Sequence, residues 1–359
     1  ASDARLRVLV EDLSLDLSSG EAWLEALGNL QLTDRDGTGV PSAAGAKLDL
    51  SVGGALQVVA DLTTAGGDLS LQAQTLALTT DVAITSAGGR VTLNAIGGDL
   101  EMASGAVVDV AHASDSALDG VADIAAWGRL GVASVQAGTG AVRLSSTVDA
   151  VVGLADAAAH VSAGGLAVFA GTAVGADIAS GGAARSATTT LTVAVDELIG
   201  AAGGDLSIAD SGALLIDDAA VSAAFDDLPA TARVASIQGG DVTLAANTLN
   251  LAAASEVTAL GQGMIDLSAD NGALSLAGRV LAAEGEVRLA AQTAVELISA
   301  TAPVDMRQQV QTAGLVRVVA ANGLVLSDGT TPRDGVIGHA FAGGQLRIEG
   351  DLTLTADTT

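Results

Sequence analysis

The chain of 359 residues carries a formal net charge of −27 and is 49% hydrophobic but only 1% aromatic, with 45 glycines and no cysteine. The lack of cysteine excludes a disulfide framework and a thiolate metal site. So acidic a surface repels a phosphate backbone, which excludes nucleic acid as a partner. No apolar run reaches the length of a membrane-spanning helix, so we expect no transmembrane segment. The core must be built from Ala, Val, Leu and Ile in one continuous body.

An alternating pair of aliphatic residues follows each glycine-rich signal along the chain. Alternation with a period of two predicts a strand with one buried face. We name these the first series. In chain order they are Leu48/Leu50, Leu69/Leu71, Val91/Leu93, Val142/Leu144, Leu166/Val168, Leu206/Ile208, Val242/Leu244, Ile265/Leu267, Val287/Leu289, Val316/Val318 and Leu346/Ile348.

Two further alternations fall inside each period. The second series is Leu76/Leu78, Leu100/Met102, Leu249/Leu251, Leu274/Leu276, Val295/Leu297, Leu324/Leu326 and Leu352/Leu354, and the third is Val82/Ile84, Val108/Val110 and Val257. Because each kind of strand recurs once per period, like strands pair in parallel from one coil to the next. The sequence therefore predicts an all-β fold, a parallel β-helix with three strands per coil of about 21–24 residues. Glycine supplies positive φ at the corners.

Extra residues interrupt the repeat in six places, which we interpret mainly as loops that protrude from corners. They lie at 31–47, 111–129, 176–190, 220–235, 299–313 and 327–342. Short helices are the alternative for 115–128 and 217–228. The long step from Leu166 to Leu206 has room for one irregular coil, since residues 188–195 also alternate.

We expect residues 1–359 to form a single β-helix repeat domain. The strand-like pattern begins almost at residue 5 and continues into the last residues. A solenoid needs polar caps to cover its open edges, and neither end resembles one. The expectation is a segment of a longer chain or a subunit that stacks end to end on another copy.

Several corner sequences carry a family resemblance. GGDLSL (66–71), GGRVTL (88–93), GGDLEM (97–102), GGDLSI (203–208), GGDVTL (239–244) and GDLTLTAD (350–357) resemble repeats of giant secreted bacterial exoproteins and adhesins of the filamentous-haemagglutinin type. The resemblance covers essentially the whole chain, although the secretion domain of that family is not identifiable here. It implies a right-handed coil, an extracellular or bacterial cell-surface location, and a role in adhesion, biofilm or filament formation.

An enzyme that binds or degrades polysaccharide is the alternative function, because β-helices can carry carboxylate sites. The adjacent pairs Asp217-Asp218 and Asp226-Asp227 lie in insertions, where solvated carboxylates are the usual explanation. His339 and Arg347 match the polysaccharide-hydrolase pattern only faintly. We therefore expect no catalytic residues.

Metal ligands are sparse in the sequence. His112, His160 and His339 are isolated and lack a metal-binding spacing, so no metal site is expected from them. Asp34 and Asp36 resemble the first half of a calcium loop, but no Glu follows at the required distance. An Asp-stabilised turn explains the same residues, and calcium near Asp34 and Asp36 stays open.

Three arginines are the candidate interaction residues. Arg288, Arg317 and Arg347 occupy the outward middle position of the first strand on consecutive coils, and Arg143 takes that position earlier. Stacked about 5 Å apart they would repel one another. Pairing with nearby acids is one explanation, the nearest in sequence being Glu286, Glu296, Glu349 and Asp351. The other is a basic stripe that docks an acidic surface or an anionic glycan.

These inferences combine into an expected function. We expect a non-catalytic structural and adhesive rod at the bacterial cell surface or outside the cell. Its expected partners are copies or neighbouring repeat segments end to end, and cell-surface glycans or a host surface.

Overall fold

The computed structural model describes residues 6–14, 21–33, 40–42, 47–154, 159–175, 190–228, 233–299, 304–327, 335–337 and 345–349. These residues are nearly all β, with a large sheet of parallel strands. The chain divides into two compact units, unit 1 with Ala1–Gly171 and Gly175–Thr192, and unit 2 with Thr172–Val174 and Val193–Thr359. The prediction of one repeat domain over residues 1–359 stays a prediction.

Unit 1 contains twenty strands among its described residues. They are β1 (Leu6–Val8), β2 (Asp12–Leu13), β3 (Glu21–Ala26), β4 (Leu30–Leu32), β5 (Val40–Ser42), β6 (Lys47–Val52), β7 (Ala55–Val58), β8 (Leu62–Thr64), β9 (Leu69–Ala73), β10 (Thr75–Leu78), β11 (Ala83–Thr85), β12 (Arg90–Ala95), β13 (Leu100–Met102), β14 (Val107–Asp109), β15 (Val121–Ala126), β16 (Leu130–Val132), β17 (Ser134–Gln136), β18 (Ala141–Ser146), β19 (Val151–Gly153) and β20 (Val161–Ala170). A 3₁₀ helix spans Ser116–Leu118.

Three faces of unit 1 follow from the pairing of these strands. The first face is β1, β3, β6, β9, β12, β15, β18 and the second part of β20. The second is β2, β4, β7, β10, β13, β16 and β19. The third is β5, β8, β11, β14, β17 and the start of β20. Each pairing is parallel, so the predicted parallel β-helix with three strands per coil is confirmed.

Inward aliphatic side chains of successive coils stack in register and form the core of unit 1. On the first face one such ladder is Leu50, Leu71, Leu93, Ile124 and Leu144, all fully buried. Burying one such side chain contributes about 1.5–3 kcal/mol, and every coil buries several. The alternation in the sequence is thus the pattern of burial on each strand.

Unit 2 has the same organisation. Strand β21 (Leu191–Ala202) crosses the division between the units, and unit 2 continues with β22 (Leu206–Asp210), β23 (Ala213–Ile216), β24 (Arg233–Ser236), β25 (Val242–Ala246), β26 (Thr248–Leu251), β27 (Glu256–Ala259), β28 (Ile265–Ala269), β29 (Leu274–Leu276), β30 (Arg279–Ala282), β31 (Val287–Ala291), β32 (Val295–Ile298), β33 (Val304–Asp305), β34 (Val310–Gln311), β35 (Leu315–Ala320), β36 (Leu324–Ser327), β37 (Gly335–Val336) and β38 (Gln345–Glu349). Its helices are α1 (Ala219–Ala224) and α2 (Met306–Gln309). The helices of the described residues are short, and none has the length and apolar character needed to cross a membrane.

The strands of unit 2 again form three parallel faces. The first face is β22, β25, β28, β31, β35 and β38. The second is part of β21 with β23, β26, β29, β32 and β36, and the third is the end of β21 with β24, β27, β30 and β34. Strand pairing does not depend on the hand of the coil, so right-handedness stays a prediction.

The irregular coil predicted between Leu166 and Leu206 is present. Val174 forms an isolated parallel bridge with Leu206 and takes the first-face position of that coil. Its second and third strands are fused in β21, which pairs with β23 and then with β24. Residues 176–189 of this stretch and the second-series pair Leu352/Leu354 lie outside the described residues.

Two predictions about the insertions are wrong in part. Residues 111–129 were expected to be extra residues, yet β15 is a regular first-face strand that pairs with β12 and β18. A helix over 115–128 is likewise absent beyond the 3₁₀ turn at Ser116–Leu118. Strand β15 was not predicted because alanine, Ala122, fills one of its inward positions, so the sequence shows no pair of alternating larger aliphatic residues there. Third-face strands β5 and β34 also lie within predicted insertions, and β24 overlaps the end of another. The short helix that was the alternative for 217–228 is present as α1.

The glycine pairs at the corners have two separate causes. Gly66 and Gly239, the first members of their pairs, have φ of 84° and 89°, as predicted for left-handed corners. Gly89, a second member, is instead required by close approach, because a Cβ there would lie 2.3 Å from the carbonyl oxygen of Gly67 in the preceding coil. Successive coils therefore touch backbone to backbone at this corner.

Candidate interaction surface

Aspartates of the Gly-Gly-Asp corners join each coil to the next. The backbone N–H of Arg129 donates to the Asp99 carboxylate (2.8 Å) in unit 1. In unit 2 the N–H of Asp241 donates to Asp205 (2.9 Å), and that of Met264 donates to Asp241 (2.7 Å). These acids satisfy backbone donors that face outward at the corners. Part of the negative charge is therefore structural, a role for these aspartates that the sequence did not reveal.

The three predicted arginines are brought together on the first face of unit 2. Arg288 lies directly opposite Arg317 in the β31–β35 pair, and Arg317 lies opposite Arg347 in the β35–β38 pair. We name these three residues the basic column. Arg288 and Arg317 are half-buried and Arg347 is exposed. Strands of a sheet are about 4.8 Å apart, so the column presents cationic groups at that spacing.

The basic column begins next to a carboxylate that was not predicted from the sequence. Asp266 lies in register with Arg288, and its Oδ2 is 2.7 Å from Arg288 Nη1. Glu296 is among the acids expected to pair with the arginines, and its carboxylate accepts a hydrogen bond from Ser275. The signal that identifies Asp266 is the period itself, since it lies 22 residues before Arg288. Asp351 lies outside the described residues, and nothing is described of the Glu349 side chain.

Arg143 of unit 1 follows the same rule. It lies in register with Asp123 of the preceding coil, and its Nε donates to Asp123 Oδ1 at 2.8 Å. A second contact joins Nη2 to Oδ2 at 2.5 Å, so the pair is bidentate. Arg143 is thus paired with an acid of its own unit, which is the arrangement expected if the outward arginines pair with nearby acids.

Some of the residues beside the basic column on β31 and β35 are small or apolar. Leu315 and Val319 flank Arg317 on β35, and Ala290 follows Arg288 on β31. All three are only partly buried, so they border the guanidinium groups without covering the face. A planar guanidinium in such a setting can bind a carboxylate or sulfate through two hydrogen bonds.

A second exposed feature lies at the corner after the first face of unit 1. Ile96, Trp127 and Val148 occupy this corner on successive coils and are each about half-exposed. The N–H of Trp127 donates to Ala95 (2.7 Å), which places Trp127 opposite Ile96. Thr147 lies opposite Trp127, and Val148, whose N–H donates to the carbonyl oxygen of Trp127 (3.0 Å), lies one residue further along the corner. We name Ile96, Trp127 and Val148 the apolar corner. In unit 2 the residues directly after β25, β28 and β31 are the polar Asn247, Asp270 and Gln292, so a corner after such a strand does not require apolar residues.

The acidic pairs considered for catalysis lie around α1. The N–H of Asp218 donates to the Asp217 carboxylate (2.9 Å), and the Glu197 carboxylate accepts the N–H of Ala220 (2.6 Å). These bonds anchor the short helix. Across the part of the chain that the structure describes, no three His, Cys, Asp or Glu side chains converge closely enough to hold a metal ion. Asp34, Asp36 and His339 lie outside that part, so calcium near Asp34 and Asp36 stays a prediction.

His112 and Asp119 organise the insertion between β14 and β15. The backbone N–H of His112 donates to Asp119 (2.7 Å), and Asp119 also accepts the backbone N–H of Thr139 (2.7 Å). Burial alone raises the pKa of Asp119, but these bonds and one from the Thr139 hydroxyl outweigh it, so its pKa lies below the ordinary value. His112 is therefore a structural residue of this loop.

Asp210 is a buried carboxylate in unit 2. It accepts the backbone N–H groups of Val195 (2.8 Å) and Gly212 (2.5 Å) at the end of β22. Burial raises its pKa above the ordinary value, the two hydrogen bonds oppose that shift, and the neighbouring charge of Asp196 adds to it. Asp210 thus closes a turn at an electrostatic cost.

A groove on unit 1 lies beside the third face, with a volume of about 530 Å³. Its lining includes Ser104, Ser134, Gln136, Ser162, Leu154 and Ala159, and none of its described lining residues is ionisable. Leu154 and Ala159 belong to the connection that leads from β19 to β20 and form one wall. Sequence reasoning did not identify this groove because its lining residues are common types without a motif.

Comparison of the chain with protein-family models, with curated proteins and with solved structures finds no match.

Proposed function

We propose that this chain is a non-catalytic structural and adhesive segment of an extracellular or cell-surface bacterial protein. The observation that supports it best is the register of parallel coils within each unit, in which outward polar groups bond one coil to the next. Arg143 with Asp123, Arg279 with Glu256 and Arg288 with Asp266 are examples of such bonds. Side chains used in this way maintain an extended surface and leave little for chemistry. The resemblance of the Gly-Gly-Asp repeats to secreted exoproteins supports the location.

Open strand edges support assembly end to end. Strand β1 pairs with β3 on one side, and β38 pairs with β35 on one side. Within the described residues, no strand pairs with their other edges. An edge strand with free N–H and C=O groups is a template for another strand of the same kind. A second copy, or a neighbouring repeat segment, presents such a strand.

Sedimentation velocity over a range of protein concentrations tests this assembly. We expect species that grow with concentration, and Leu9→Lys beside the exposed edge of β1 to reduce them, because an edge lysine opposes strand pairing. Leu9 is 83% exposed, and Leu118, at 54% exposed in the 3₁₀ helix, provides the control Leu118→Lys. A wild-type chain that stays monomeric at every concentration contradicts end-to-end stacking.

The basic column and the apolar corner support adhesive contacts. Guanidinium groups that repeat about every 4.8 Å along a sheet can bind several anionic groups of one polymer. Large exposed apolar side chains are typical of contact surfaces. The basic column fits the proposed binding of anionic glycans or of an acidic neighbouring segment.

A triple substitution tests the basic column. Arg288→Gln, Arg317→Gln and Arg347→Gln together should abolish binding to an immobilised anionic polysaccharide such as a polyuronate, measured at low and high salt. Arg307→Gln is the control, because Arg307 is paired with Asp305 outside the column. Binding and assembly that do not change in the triple variant contradict this use of the arginines.

A further inference from the structure

Two Asn-Gly dipeptides lie at the same corner of unit 2, between the first and the second face. Asn271-Gly272 connects β28 to β29, and Asn322-Gly323 connects β35 to β36. Both asparagines are exposed, and both donate their backbone N–H groups to the preceding coil, at 3.1 Å and 2.7 Å respectively. The two dipeptides are chemically identical, so a difference in their reactivity has to come from their surroundings.

Asparagine before glycine can lose its side-chain amide without an enzyme. Asparagine is a thermolabile residue, and a following glycine has no side chain to shield its own backbone nitrogen. That nitrogen, once deprotonated, forms a bond to the asparagine Cγ, and the bond from Cγ to Nδ2 breaks. The side-chain nitrogen takes up the proton and leaves as ammonia, and a five-membered succinimide remains. Water then opens either carbonyl of the ring and produces aspartate or isoaspartate.

The fold treats the two glycine nitrogens differently. The N–H of Gly323 donates to the carbonyl oxygen of Ala320 (3.1 Å), and Gly323 is buried. Among the described residues no group accepts the N–H of Gly272, and Gly272 is only half-buried. A buried, hydrogen-bonded N–H resists the loss of its proton, because the bond must open and water must enter first. The reaction is therefore hindered at Asn322 and open at Asn271.

The side chain of Asn271 is part of a hydrogen-bonded ladder between coils. Asn247 Nδ2 donates to the carbonyl oxygen of Ser211 (2.5 Å), and Asn271 Nδ2 donates to Asn247 Oδ1 (2.5 Å). A carbonyl oxygen only accepts, so Asn247 must direct its nitrogen to Ser211 and its oxygen to Asn271. A carboxylate at position 271 has no proton to donate to that oxygen, and Asn247 cannot turn over without losing its bond to Ser211. Deamidation therefore breaks the ladder and adds a negative charge beside Asp270.

We propose that Asn271 is a site of spontaneous deamidation, and that its conversion loosens this corner of unit 2 as the protein ages. The reaction needs only water, and the carboxamide that it consumes is the group that joins Asn271 to Asn247. Isoaspartate also lengthens the backbone between β28 and β29 by one carbon atom, which disturbs the register of the adjoining strands. This inference goes beyond the proposed structural function and does not depend on it.

Tandem mass spectrometry of tryptic peptides from the whole protein, incubated folded at neutral and mildly alkaline pH, tests the site. Peptide 234–279 contains Asn271 and peptide 318–333 contains Asn322, so one sample reports on both. We expect Asn271 to convert about two- to tenfold faster than Asn322, the factor that one hydrogen bond contributes. In guanidinium chloride the two rates should become equal, because both dipeptides are then in water. The proposal is overturned if Asn271 does not convert in the folded chain, if Asn322 converts as fast, or if the difference persists in guanidinium chloride.

Hydrogen exchange tests the loosening that follows conversion. The amide of Leu249 donates to the carbonyl oxygen of Ala273 (3.3 Å) beside this corner, and in aged protein it should lose protection relative to the amide of Leu93 in unit 1. Asn271→Asp should show the same loss without ageing. Asn271→Gln is the control, because its longer side chain does not readily close the five-membered ring, and its protection should not change with time. If Asn271→Gln does not fold, Asn271→Asp and the two rates in the wild type still decide the matter. Equal protection of Leu249 in fresh protein, aged protein and Asn271→Asp contradicts the loosening.

Discussion

Replacing Leu93 with alanine tests whether the inward ladder of unit 1 is the source of its stability. Leu93 is fully buried and stacks between Leu71 and Ile124 of the adjacent coils. The substitution removes three carbon atoms, worth about 2.4 kcal/mol at about 0.8 kcal/mol per buried methylene group. A cavity in a ladder fixed on both sides adds to this, and we expect a total loss of about 3–4 kcal/mol.

A matched control comes from the same stretch of chain. Ile96 is 42% exposed at the corner after β12, so Ile96→Ala should cost about 1 kcal/mol or less. Urea denaturation followed by circular dichroism gives the two free energies of unfolding, and hydrogen exchange of the amides in β9, β12 and β15 locates the loss. Because repeat proteins are stabilised by contacts between neighbouring coils, the protection should fall most in these three strands. Equal losses for the two variants would refute the ladder as the main source of stability.

Three further predictions follow from individual corners and carboxylates. The pKa of Asp119 is lowered in the folded chain, so its carboxylate stabilises the fold above the ordinary pKa of 3.8. That stabilisation is lost as pH falls through the pKa of the folded chain. Asp119→Asn should therefore flatten the dependence of the melting temperature on pH below pH 5. An unchanged profile contradicts this. The pKa of Asp210 is raised in the folded chain, so the free energy of unfolding declines as pH rises through that raised pKa. Asp196→Asn removes a neighbouring negative charge. It should raise the melting temperature more at pH 7 than at pH 3. A gain of the same size at both pH values argues against the coupling. Gly89→Ala should lower the free energy of unfolding by about 1–3 kcal/mol, because the new Cβ overpacks the corner. Gly28→Ala is the control, since nothing lies within 4 Å of its new Cβ, and it should leave that free energy unchanged or raise it in chemical denaturation.

Much of the fold could be predicted because burial leaves a local signal on each strand. The segments 66–89 and 239–263 each contain three alternations, and the structure places them as β9, β10, β11 and as β25, β26, β27. The basic column could be predicted for the same reason, since Arg288, Arg317 and Arg347 each follow the first inward residue of their strand. A constant period converts position in the sequence into position on a face.

Elements with little aliphatic content could not be recognised from the sequence. Strand β15 places Ala122 where the two adjacent coils have Val91 and Val142. The third-face strands β5, β24 and β34 each contain a single aliphatic residue larger than alanine, so none shows an alternating pair. Their conformation is decided by the strands on either side, whose unpaired N–H and C=O groups require a partner. That requirement arises only once the coils are stacked.

Alternation and glycine spacing by themselves determined the parallel three-strand coil and the outward position of the arginines. Only the tertiary structure decided which acid meets which base, as with Asp266 and Arg288, and that the buried ring of His160 bonds to Leu154 and Thr192. The physical reason is the distance along the sequence between the residues that interact. The burial of an inward aliphatic residue is visible in the alternation of its own strand. An ion pair or a buried imidazole depends on residues about 20 to 30 positions away in the sequence. Those residues become neighbours only after successive coils have stacked in register.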